Sequence, residues 1–469
     1  MNGRKLSGLS VTLVGALAAV ATFGAPLAAS ASTKSGGWSS GTAISSVNQP
    51  DPTRGAQVND VAINASGLAV SAWDQYTYNN GGGASIGAAV RSNGRWSPPF
   101  VVSGNATFAM TPKVAVGADG TMAVSWVSQD PAAVSTTQRV QVAVRPAGSA
   151  TWTTSTLATF AVSGVAITRS APVGVDAAGN VTAVWTAWDG TKNTIQSAMK
   201  PTGQPWSEVS TLSGPTTDAY FPSLSVNTRG DVAVAYTLSA YGASTGTWAE
   251  YVYRAAGSNV WTAPVVVSEK LTSSVGYITG ADVGLDGSGR ATVAYFGYGV
   301  EATRQLANGT WTTPKPVITS PAAGSSFASP DLGVDAQGNA TLAVSIFDAT
   351  VNVDRSSAWV SRGSPDGVWT QQQRLTDPTV PVDAYATQVA VSPDGALAIV
   401  GWIDHYHGTV QASQFVNGAW SPASTIGRGT AFSSFQEVLS LDAASGTAAQ
   451  AVWKNAKGGT ITMASSYRG

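Results

Sequence analysis

Cysteine is absent from this 469-residue chain, histidine occurs only twice, and charged residues make up only 11% of it. Without cysteine the protein has neither disulfide bridges nor thiolate ligands for a metal. The formal net charge of −1 provides no basic excess to neutralise phosphates, which excludes a strongly electrostatic nucleic-acid binder. Disordered chains combine few apolar residues with a high net charge, whereas this chain is 43% apolar. We therefore expect a folded chain whose partners do not include nucleic acid.

The opening segment, residues 1–31, has the pattern of a secretory signal peptide. Two basic residues precede an apolar run over residues 9–24, and a small-x-small cleavage motif ends at Ala31. The alternative is that the run stays in place as a membrane anchor, but no stop-transfer segment follows it. We expect this segment to be cleaved and the protein to be secreted to the extracellular space without a membrane anchor. The mature chain then begins near Ser32 and forms one domain over residues 32–469.

Beyond this segment one unit recurs eight times: an apolar alternation, a short turn that ends in Gly, and a second apolar alternation. The first copy is Val61–Trp73 and the second is Val114–Trp126. Alternation rich in Val predicts strands, and a closing Gly supplies the left-handed residue that such a hairpin needs. The turn glycines are Gly67, Gly120, Gly179, Gly230, Gly289, Gly338, Gly395 and Gly446, which sets an average repeat of about 54 residues.

The first seven units continue with a third alternating stretch, a Gly-containing turn, and a Trp followed by Ser or Thr. In the second unit the third stretch is Val140–Arg145. The tryptophans of this motif are Trp96, Trp152, Trp206, Trp261, Trp311, Trp369 and Trp420. Each unit therefore holds about four strands, which we name A to D in chain order: A and B flank the Gly turn, C follows, and D begins at the Trp.

Four antiparallel strands in about 50 residues, repeated eight times, predict an all-β, eight-bladed β-propeller with four-stranded blades. The eighth unit reaches Gly469 without a Trp strand, whereas Gly37-Trp38-Ser39 precedes the first hairpin. We expect an N-terminal outer strand around Trp38 to complete the last blade and close the ring. An open all-β solenoid is the alternative, but it gives no reason to divide one unit between the two ends of the chain.

The Gly-x-Trp element at the C–D turn resembles the Asp-box hairpin of sialidase-like propellers, which reads Ser-x-Asp-x-Gly-x-x-Trp. The nearest match is Ser364–Trp369 (SPDGVW), which is two residues shorter. The repeats as a whole, with their VDxxGxAxxVW and RxxGxW patterns, resemble those of secreted bacterial eight-bladed β-propeller proteins. This second resemblance covers nearly the whole mature chain, and it implies the fold rather than a function.

The two ends of a blade differ in how much their loops vary. In an up-and-down blade the A–B and C–D turns lie at one face, and the B–C and D–A loops lie at the other. Here the first pair is short and regular, while the second pair is long and varied. Because binding sites are usually built from variable loops on a rigid scaffold, the second face, which we call the long-loop face, is the candidate site.

Strand B often ends in an aromatic residue with an Asp beside it. A flat ring stacks on the apolar face of a sugar, a carboxylate accepts hydrogen bonds from its hydroxyls, and a weakly charged concave surface suits neutral glycans. The ligand-binding candidates are Trp73 with Asp74, Trp188 with Asp189, Phe347 with Asp348, and Trp402 with Asp404. The alternative is that these rings pack between blades and that the aspartates are ordinary loop residues.

Both histidines lie in Asp404-His405-Tyr406-His407, in the predicted B–C loop of the seventh unit. Because His serves as a general base or a metal ligand, Asp404, His405 and His407 are the catalytic candidates. The alternative is an ordinary surface loop. No third ligand is identified beside them, so we expect neither a bound metal nor another cofactor.

Two functional hypotheses follow. The first is a secreted, monomeric, lectin-like protein that binds a glycan or a cell-wall polymer at the long-loop face, or instead docks a protein partner in an extracellular assembly. The second is a carbohydrate-active enzyme, either a glycoside hydrolase with two carboxyl groups at a set separation or a polysaccharide lyase with His405 or His407 as the base. Convergence of carboxylate, Arg and His side chains would favour the enzyme.

Overall fold

Strands are the only regular elements in the part of the chain that this computed structural model describes, and no helix occurs there. The described residues are 37–45, 59–77, 83–104, 108–129, 137–161, 170–240, 246–272, 277–320, 325–328, 330–348, 355–428, 439–457 and 460–469. All of them belong to one compact unit that spans residues 32–469. Within these ranges no helix is long and apolar enough to cross a membrane.

In the first half of the chain the strands follow the sequence repeat. A short strand, β1 (Thr42–Ala43), comes before the first repeat. The first repeat forms β2 (Asn59–Ile63), β3 (Ala69–Thr77), β4 (Gly83–Ser92), β5 (Arg95–Trp96) and β6 (Phe100–Val101). The second forms β7 (Phe108–Val116), β8 (Met122–Gln129), β9 (Thr137–Arg145) and β10 (Thr153–Ala161). The third forms β11 (Val173–Val175), β12 (Val181–Trp188), β13 (Asn193–Lys200) and β14 (Ser210–Thr211), and the fourth forms β15 (Asp218–Val226), β16 (Val232–Ala240), β17 (Gly246–Arg254) and β18 (Val265–Val266).

The second half of the chain continues the same order. The fifth repeat forms β19 (Thr279–Leu285), β20 (Ala291–Phe296), β21 (Val300–Arg304) and β22 (Lys315–Ile318). The sixth forms β23 (Ser326–Phe327), β24 (Asp331–Val334), β25 (Ala340–Asp348), β26 (Arg355–Gly363) and β27 (Gln373–Arg374). The seventh forms β28 (Ala384–Val391), β29 (Ala398–Asp404), β30 (Thr409–Val416), β31 (Ala419–Trp420) and β32 (Ser424–Arg428), and the eighth forms β33 (Leu439–Ala443), β34 (Ala449–Lys457) and β35 (Thr460–Arg468).

Consecutive long strands pair antiparallel within each repeat. The third, fourth and fifth repeats each form a four-stranded sheet, and the sixth and seventh add a fifth short strand. The first two repeats share one sheet, because β4 and β7 meet in a parallel pairing of Ala84 with Phe108. Strand D is often reduced to two residues, as in β14, β18 and β27. The repeat therefore builds several antiparallel sheets of about four strands.

The turn glycines carry the backbone conformation that the A–B hairpin demands. All eight have φ between 74° and 96°, where a Cβ would be strained. The residue that opens the turn holds it closed: Asp176 Oδ1 accepts the backbone N–H groups of Ala178 and Asn180, each at 2.9 Å. A Cβ on Gly230 would lie only 2.8 Å from Asp176 Oδ2 of the preceding repeat. Glycine therefore permits the left-handed backbone of the turn and, at Gly230, the close packing against the turn of the preceding repeat.

The two ends of the chain meet in one sheet. Strand β1 pairs antiparallel with β35, with Thr42 opposite Ser465, and the sheet order is β1-β35-β34-β33. Trp38 forms an isolated bridge with Arg468 and is fully buried. The N-terminal outer strand expected from the position of Trp38 therefore completes the sheet of the last repeat.

The A strands of successive repeats form a closed circle, to which the sixth repeat contributes β24, the second of two strands that pair with β25. Strand β2 packs against β7, and the contacts continue in the order β7, β11, β15, β19, β24, β28 and β33. Strand β33 packs against β2 again, so the series has no free end. Sheets that pack face to face in a closed ring, each with its A strand innermost, form a β-propeller.

Apolar side chains fill the seams between neighbouring sheets. Each seam holds a buried cluster drawn from two consecutive repeats, and seven of the seams centre on a large ring at the fifth residue of strand B. The expectation that strand B ends at this aromatic is wrong in most repeats, because the strand pairing continues beyond the ring, as in β3. We call these rings the seam aromatics: Trp73, Trp126, Trp185, Tyr236, Tyr295, Trp402 and Trp453. All seven are at most 1% exposed. Because both faces of a sheet are covered, little surface is left for charged residues.

Candidate functional site

The predicted stacking rings fall into two groups. Trp73 and Trp402 are seam aromatics with 1% exposure, so neither presents an open ring face to solvent. Trp188 and Phe347 are half-buried and keep part of each ring accessible. The structure therefore divides the four rings into two that pack the seams and two that reach the surface.

Asp74, Asp189 and Asp404 lie in different repeats and do not share one site. Asp74 is 2% exposed within β3. Asp189 closes its own turn, accepting hydrogen bonds from Thr191 and Lys192. Burial opposes ionisation of Asp189, but those hydrogen bonds outweigh it and hold its pKa below the usual range. The side chain of Asp348 lies outside the described residues.

The exception is the seventh repeat, where predicted residues meet in one cavity of about 400 Å³. We call it the Asp404 cavity. The connection before β28 supplies Asp377, Val380 and Val382, and the loop after β29 supplies His407. The strands supply the rest of the named lining: Trp402 and Asp404 from β29, Gln411 from β30, and Thr425 and Arg428 from β32. A D–A connection and a B–C loop both contribute to this lining, so the cavity opens at the long-loop face.

The chemical centre of the cavity is a pair formed by Asp404 and His407. Asp404 Oδ2 lies 2.6 Å from His407 Nδ1, and the backbone N–H of His407 donates to Asp404 Oδ1 at 3.3 Å. The side chain of Asp404 is 5% exposed, while that of His407 is 42% exposed. Because an ionised carboxylate can only accept, Nδ1–H is the donor of this bond, and Nε2 is the nitrogen left to accept a proton or bind a hydroxyl.

His405 belongs to a separate pair. Its Nδ1 lies 3.2 Å from Asp383 Oδ2, and its backbone N–H donates to the carbonyl of Asp383. Asp383 Oδ1 accepts from the backbone N–H and the hydroxyl of Ser356 in the sixth repeat. The His405 ring stacks edge-on against Tyr385, which in turn contacts Phe347. The two histidines therefore have different carboxylate partners, and only His407 lines the cavity.

The wall of the cavity contains a buried donor without an acceptor. In the second and third repeats the seam Trp donates from Nε1 to a strand C glutamine: Trp126 to Gln141 at 3.1 Å, and Trp185 to Gln196 at 3.2 Å. Trp402 faces Gln411 in the same register. The Gln411 amide donates instead to the Thr409 and Thr425 hydroxyls. Trp402 Nε1 is left without a partner in the described structure.

Charges of both signs stand at the rim. Arg428 and Asp377 are exposed and line the cavity. The side-chain and backbone hydrogen bonds that Asp377 accepts from Thr379 lower its pKa. Among the described residues no group of three or more His, Asp or Glu side chains is placed to hold a metal ion. The cavity therefore offers hydroxyl-binding and acid–base groups built from protein side chains.

A second polar feature, which sequence reasoning missed, links the inner strands of the ring. Aspartates on these strands accept backbone N–H groups of the next repeat. Asp60 accepts from Val114 at 2.9 Å, Asp282 from Leu332 at 3.0 Å, Asp442 from Ile63 at 2.8 Å, and Asp331 from Val389. The link from Asp442 to Ile63 joins the last repeat to the first.

These inner carboxylates ionise with difficulty. Burial raises the pKa of Asp442 to about 7. Burial and then the negative charge of Asp282 raise the pKa of Asp331 to about 7 as well. The residues beside each Asp do not indicate this role, because the backbone N–H that the carboxylate meets belongs to the neighbouring repeat.

The chain matches no known protein-family model and no curated protein sequence. Among solved structures it resembles a polysaccharide lyase of family PL25, an ulvan lyase, with 12% identity, coverage of 77% of this chain and 92% of that one, and a TM-score of 0.47. It also resembles the GH93 α-L-arabinofuranosidase of Fusarium graminearum, with 11% identity, coverage of 79% and 94%, and a TM-score of 0.43. A Dyadobacter fermentans protein of unknown function matches with 14% identity, coverage of 63% and 93%, and a TM-score of 0.41. Likenesses at this level assign no activity to this chain.

Proposed function

We propose that this chain is a secreted, eight-bladed β-propeller that binds a glycan or another extracellular polymer in the Asp404 cavity, after removal of residues 1–31. One observation carries the proposal. Trp402, Asp404 and His407, singled out by sequence, line one cavity at the loop end of a rigid sheet.

The lining suits a ligand rich in hydroxyl groups. Its volume of about 400 Å³ falls within the ~300–1,000 Å³ of small-ligand sites. His407 and the threonine hydroxyls both donate and accept, Arg428 donates, and Val380 and Val382 supply apolar contact. A ligand oxygen beside Trp402 Nε1 would give that buried donor the acceptor it lacks, which favours binding because an unmade buried hydrogen bond is costly.

The experiment that tests the proposal is a screen of the full-length secreted protein against a panel of polysaccharides, recording both binding and product release. Binding of at least one neutral or weakly acidic polysaccharide, lost on His407→Ala, supports it. A protein that binds none of the panel contradicts it and makes a protein partner the leading hypothesis.

Catalysis is the second candidate function, and the 2.6 Å contact between Asp404 and His407 favours it. A buried carboxylate that orients an exposed imidazole is the arrangement of a general base. The Tyr406 ring packs edge-on against His407 with centroids 5.0 Å apart and is 61% exposed, which places a phenol beside that base. A lyase would use His407 to remove the proton next to a carboxylate. The bond to the glycosidic oxygen would break as a carbon–carbon double bond forms, and the Tyr406 phenol would protonate the departing oxygen. Release of unsaturated products in the same screen, abolished by His407→Gln, distinguishes catalysis from binding alone.

A further inference from the structure

A second cavity, of about 410 Å³, lies between the third and fourth repeats. Its walls come from strand C and the C–D turns, so it opens at the face opposite the long-loop face. The lining includes Met199, Trp206, Glu208, Arg254 and Trp261. We call it the Arg254 cavity. It shares no residue with the Asp404 cavity.

Arg254 is a buried cation whose acceptors are all neutral. The residue is 5% exposed. Its Nη1 donates to Met199 Sδ and to the Ser258 carbonyl, each at 2.8 Å, and its Nη2 donates to Thr182 Oγ1 at 2.9 Å. Its Nε is buried and has no partner among the described residues. A buried charge is normally paired, because the cost of removing it from water is high.

Arg304, the corresponding arginine of the next repeat, has a carboxylate as a hydrogen-bond partner. Arg304 ends strand C of the fifth repeat, is 1% exposed, and donates from Nη2 to Asp286 Oδ2 at 2.5 Å. Asp286 opens the A–B turn of its repeat, and the residue that opens the turn of the fourth repeat is Asn227. The fourth repeat therefore has no carboxylate at the position that opens the turn. The negative charge of Asp176 in the third repeat attracts Arg254, but the hydrogen-bond acceptors of Arg254 among the described residues are all neutral. Arg254 turns to Thr182 of the third repeat instead.

The tryptophans that line the cavity add a second buried N–H group without an acceptor in the described structure. Trp206 Nε1 is buried and has no hydrogen-bond partner in the part of the chain that the structure describes. The Arg254 guanidinium lies over the Trp261 ring, 5.5 Å from its centroid. Two buried N–H groups, on Arg254 and Trp206, thus lack acceptors within the lining of one cavity. Burial lowers the pKa of Arg254, although arginine remains charged at any physiological pH.

We propose that the Arg254 cavity is a binding site for an oxyanion, a carboxylate or a sulfate group carried by a ligand of about the size of one sugar. The anion supplies the charge that Asp286 supplies to Arg304. Its oxygens accept from Arg254 Nε and Trp206 Nε1 through charge-assisted hydrogen bonds. The ligand's apolar face meets Trp261. Glu208, the exposed acid of the lining, opposes an anion at the cavity mouth.

The test titrates the full chain with sodium glucuronate, sodium sulfate and glucose, followed by calorimetry and by intrinsic tryptophan fluorescence. We expect at least one anion to bind and glucose not to bind at this cavity. Arg254→Gln should weaken anion binding by about tenfold or more. Binding of glucuronate alone identifies a carboxylate site, and binding of sulfate alone identifies a sulfate site.

A surface variant keeps the test decisive even where Arg254→Gln fails to fold. Glu208→Gln removes an exposed negative charge and leaves the core untouched, so anion affinity should rise about two- to fivefold. Arg362→Gln serves as the matched control, because Arg362 bonds to Thr341 in its own repeat and does not line the cavity. The proposal is overturned where neither anion binds, or where both Glu208→Gln and Arg254→Gln leave the affinity unchanged. Neither result bears on the Asp404 cavity.

Discussion

Asp404 Oδ2 lies 2.6 Å from His407 Nδ1, with the carboxylate buried and the imidazole at the surface of a cavity. Asp404 is the last residue of strand β29, and a tight four-residue connection returns the chain to β30. The rigid strand thus fixes the acid, and the loop carries the base. Removing the acid should loosen the ring without unfolding the sheet.

Asp404→Asn tests that coupling. The asparagine carbonyl can still accept from the backbone N–H of His407, but the side chain no longer offers a carboxylate to His407 Nδ1, so the ring is held less firmly and ligand binding or turnover should fall. The measurement is polysaccharide affinity for the wild-type protein and the variant at one pH. An unchanged affinity would show that Asp404 does not act through His407.

Trp402→Phe and Trp126→Phe form a matched pair. Both remove an indole from a seam, but only Trp126 loses a hydrogen bond, to Gln141. We expect Trp126→Phe to lower the free energy of unfolding by about 1 kcal/mol more than Trp402→Phe. Only Trp402→Phe should weaken polysaccharide binding. Urea unfolding and affinity measurements on both proteins check this, and equal losses of stability would contradict the unpaired state of Trp402.

The inner carboxylates predict greater stability at mildly acidic pH. Asp331 and Asp442 have folded pKa values near 7, above the value of about 3.9 in an unfolded chain. The folded state therefore binds more protons between those limits, and the free energy of unfolding falls as pH rises from about 5 to 8. Melting temperatures at pH 5 and pH 8 measure the effect. Asp442→Asn should reduce the difference, and a higher melting temperature at pH 8 would refute the assignment.

Ring closure predicts that Trp38 matters more than its counterparts. Trp38 is fully buried beside the last repeat, whereas Trp420, in the same motif of the seventh repeat, is half-buried. Trp38→Ala should lower the free energy of unfolding by about 3–5 kcal/mol, and Trp420→Ala by less. Urea unfolding compares the two variants. Equal effects would mean that the N-terminal strand does not close the ring.

Close packing of the A–B turns predicts a graded cost for alanine at two glycines. Gly230 (φ 93°) and Gly203 (φ 73°) both occupy the left-handed region, which costs roughly 1–2 kcal/mol for a residue with a Cβ. A Cβ on Gly230 also meets Asp176 at 2.8 Å, whereas one on Gly203 meets nothing within 4 Å. Gly230→Ala should therefore destabilise the protein more in thermal unfolding. The reverse order would argue against this packing of turns.

Much of the fold could be predicted from sequence because its determinants are local. Alternation and turn glycines define each hairpin, and the displaced Trp38 indicates where the chain closes. The site was harder to predict. Alternation could not show that Trp73 and Trp402 are buried while Trp188 is half-open, because both faces of a blade are covered. The partners Asp383 and Arg428, and the neutral hydrogen-bond acceptors of Arg254, depend on which repeats become neighbours.

The most direct test of the proposed site compares the two histidines, which lie two residues apart but face different partners. Only His407 lines the Asp404 cavity, while His405 is held by Asp383. Affinity for the polysaccharide that binds best in the panel should fall about tenfold or more in His407→Ala and change less than about twofold in His405→Ala. Equal losses in the two variants, or no loss in His407→Ala, would contradict binding in this cavity.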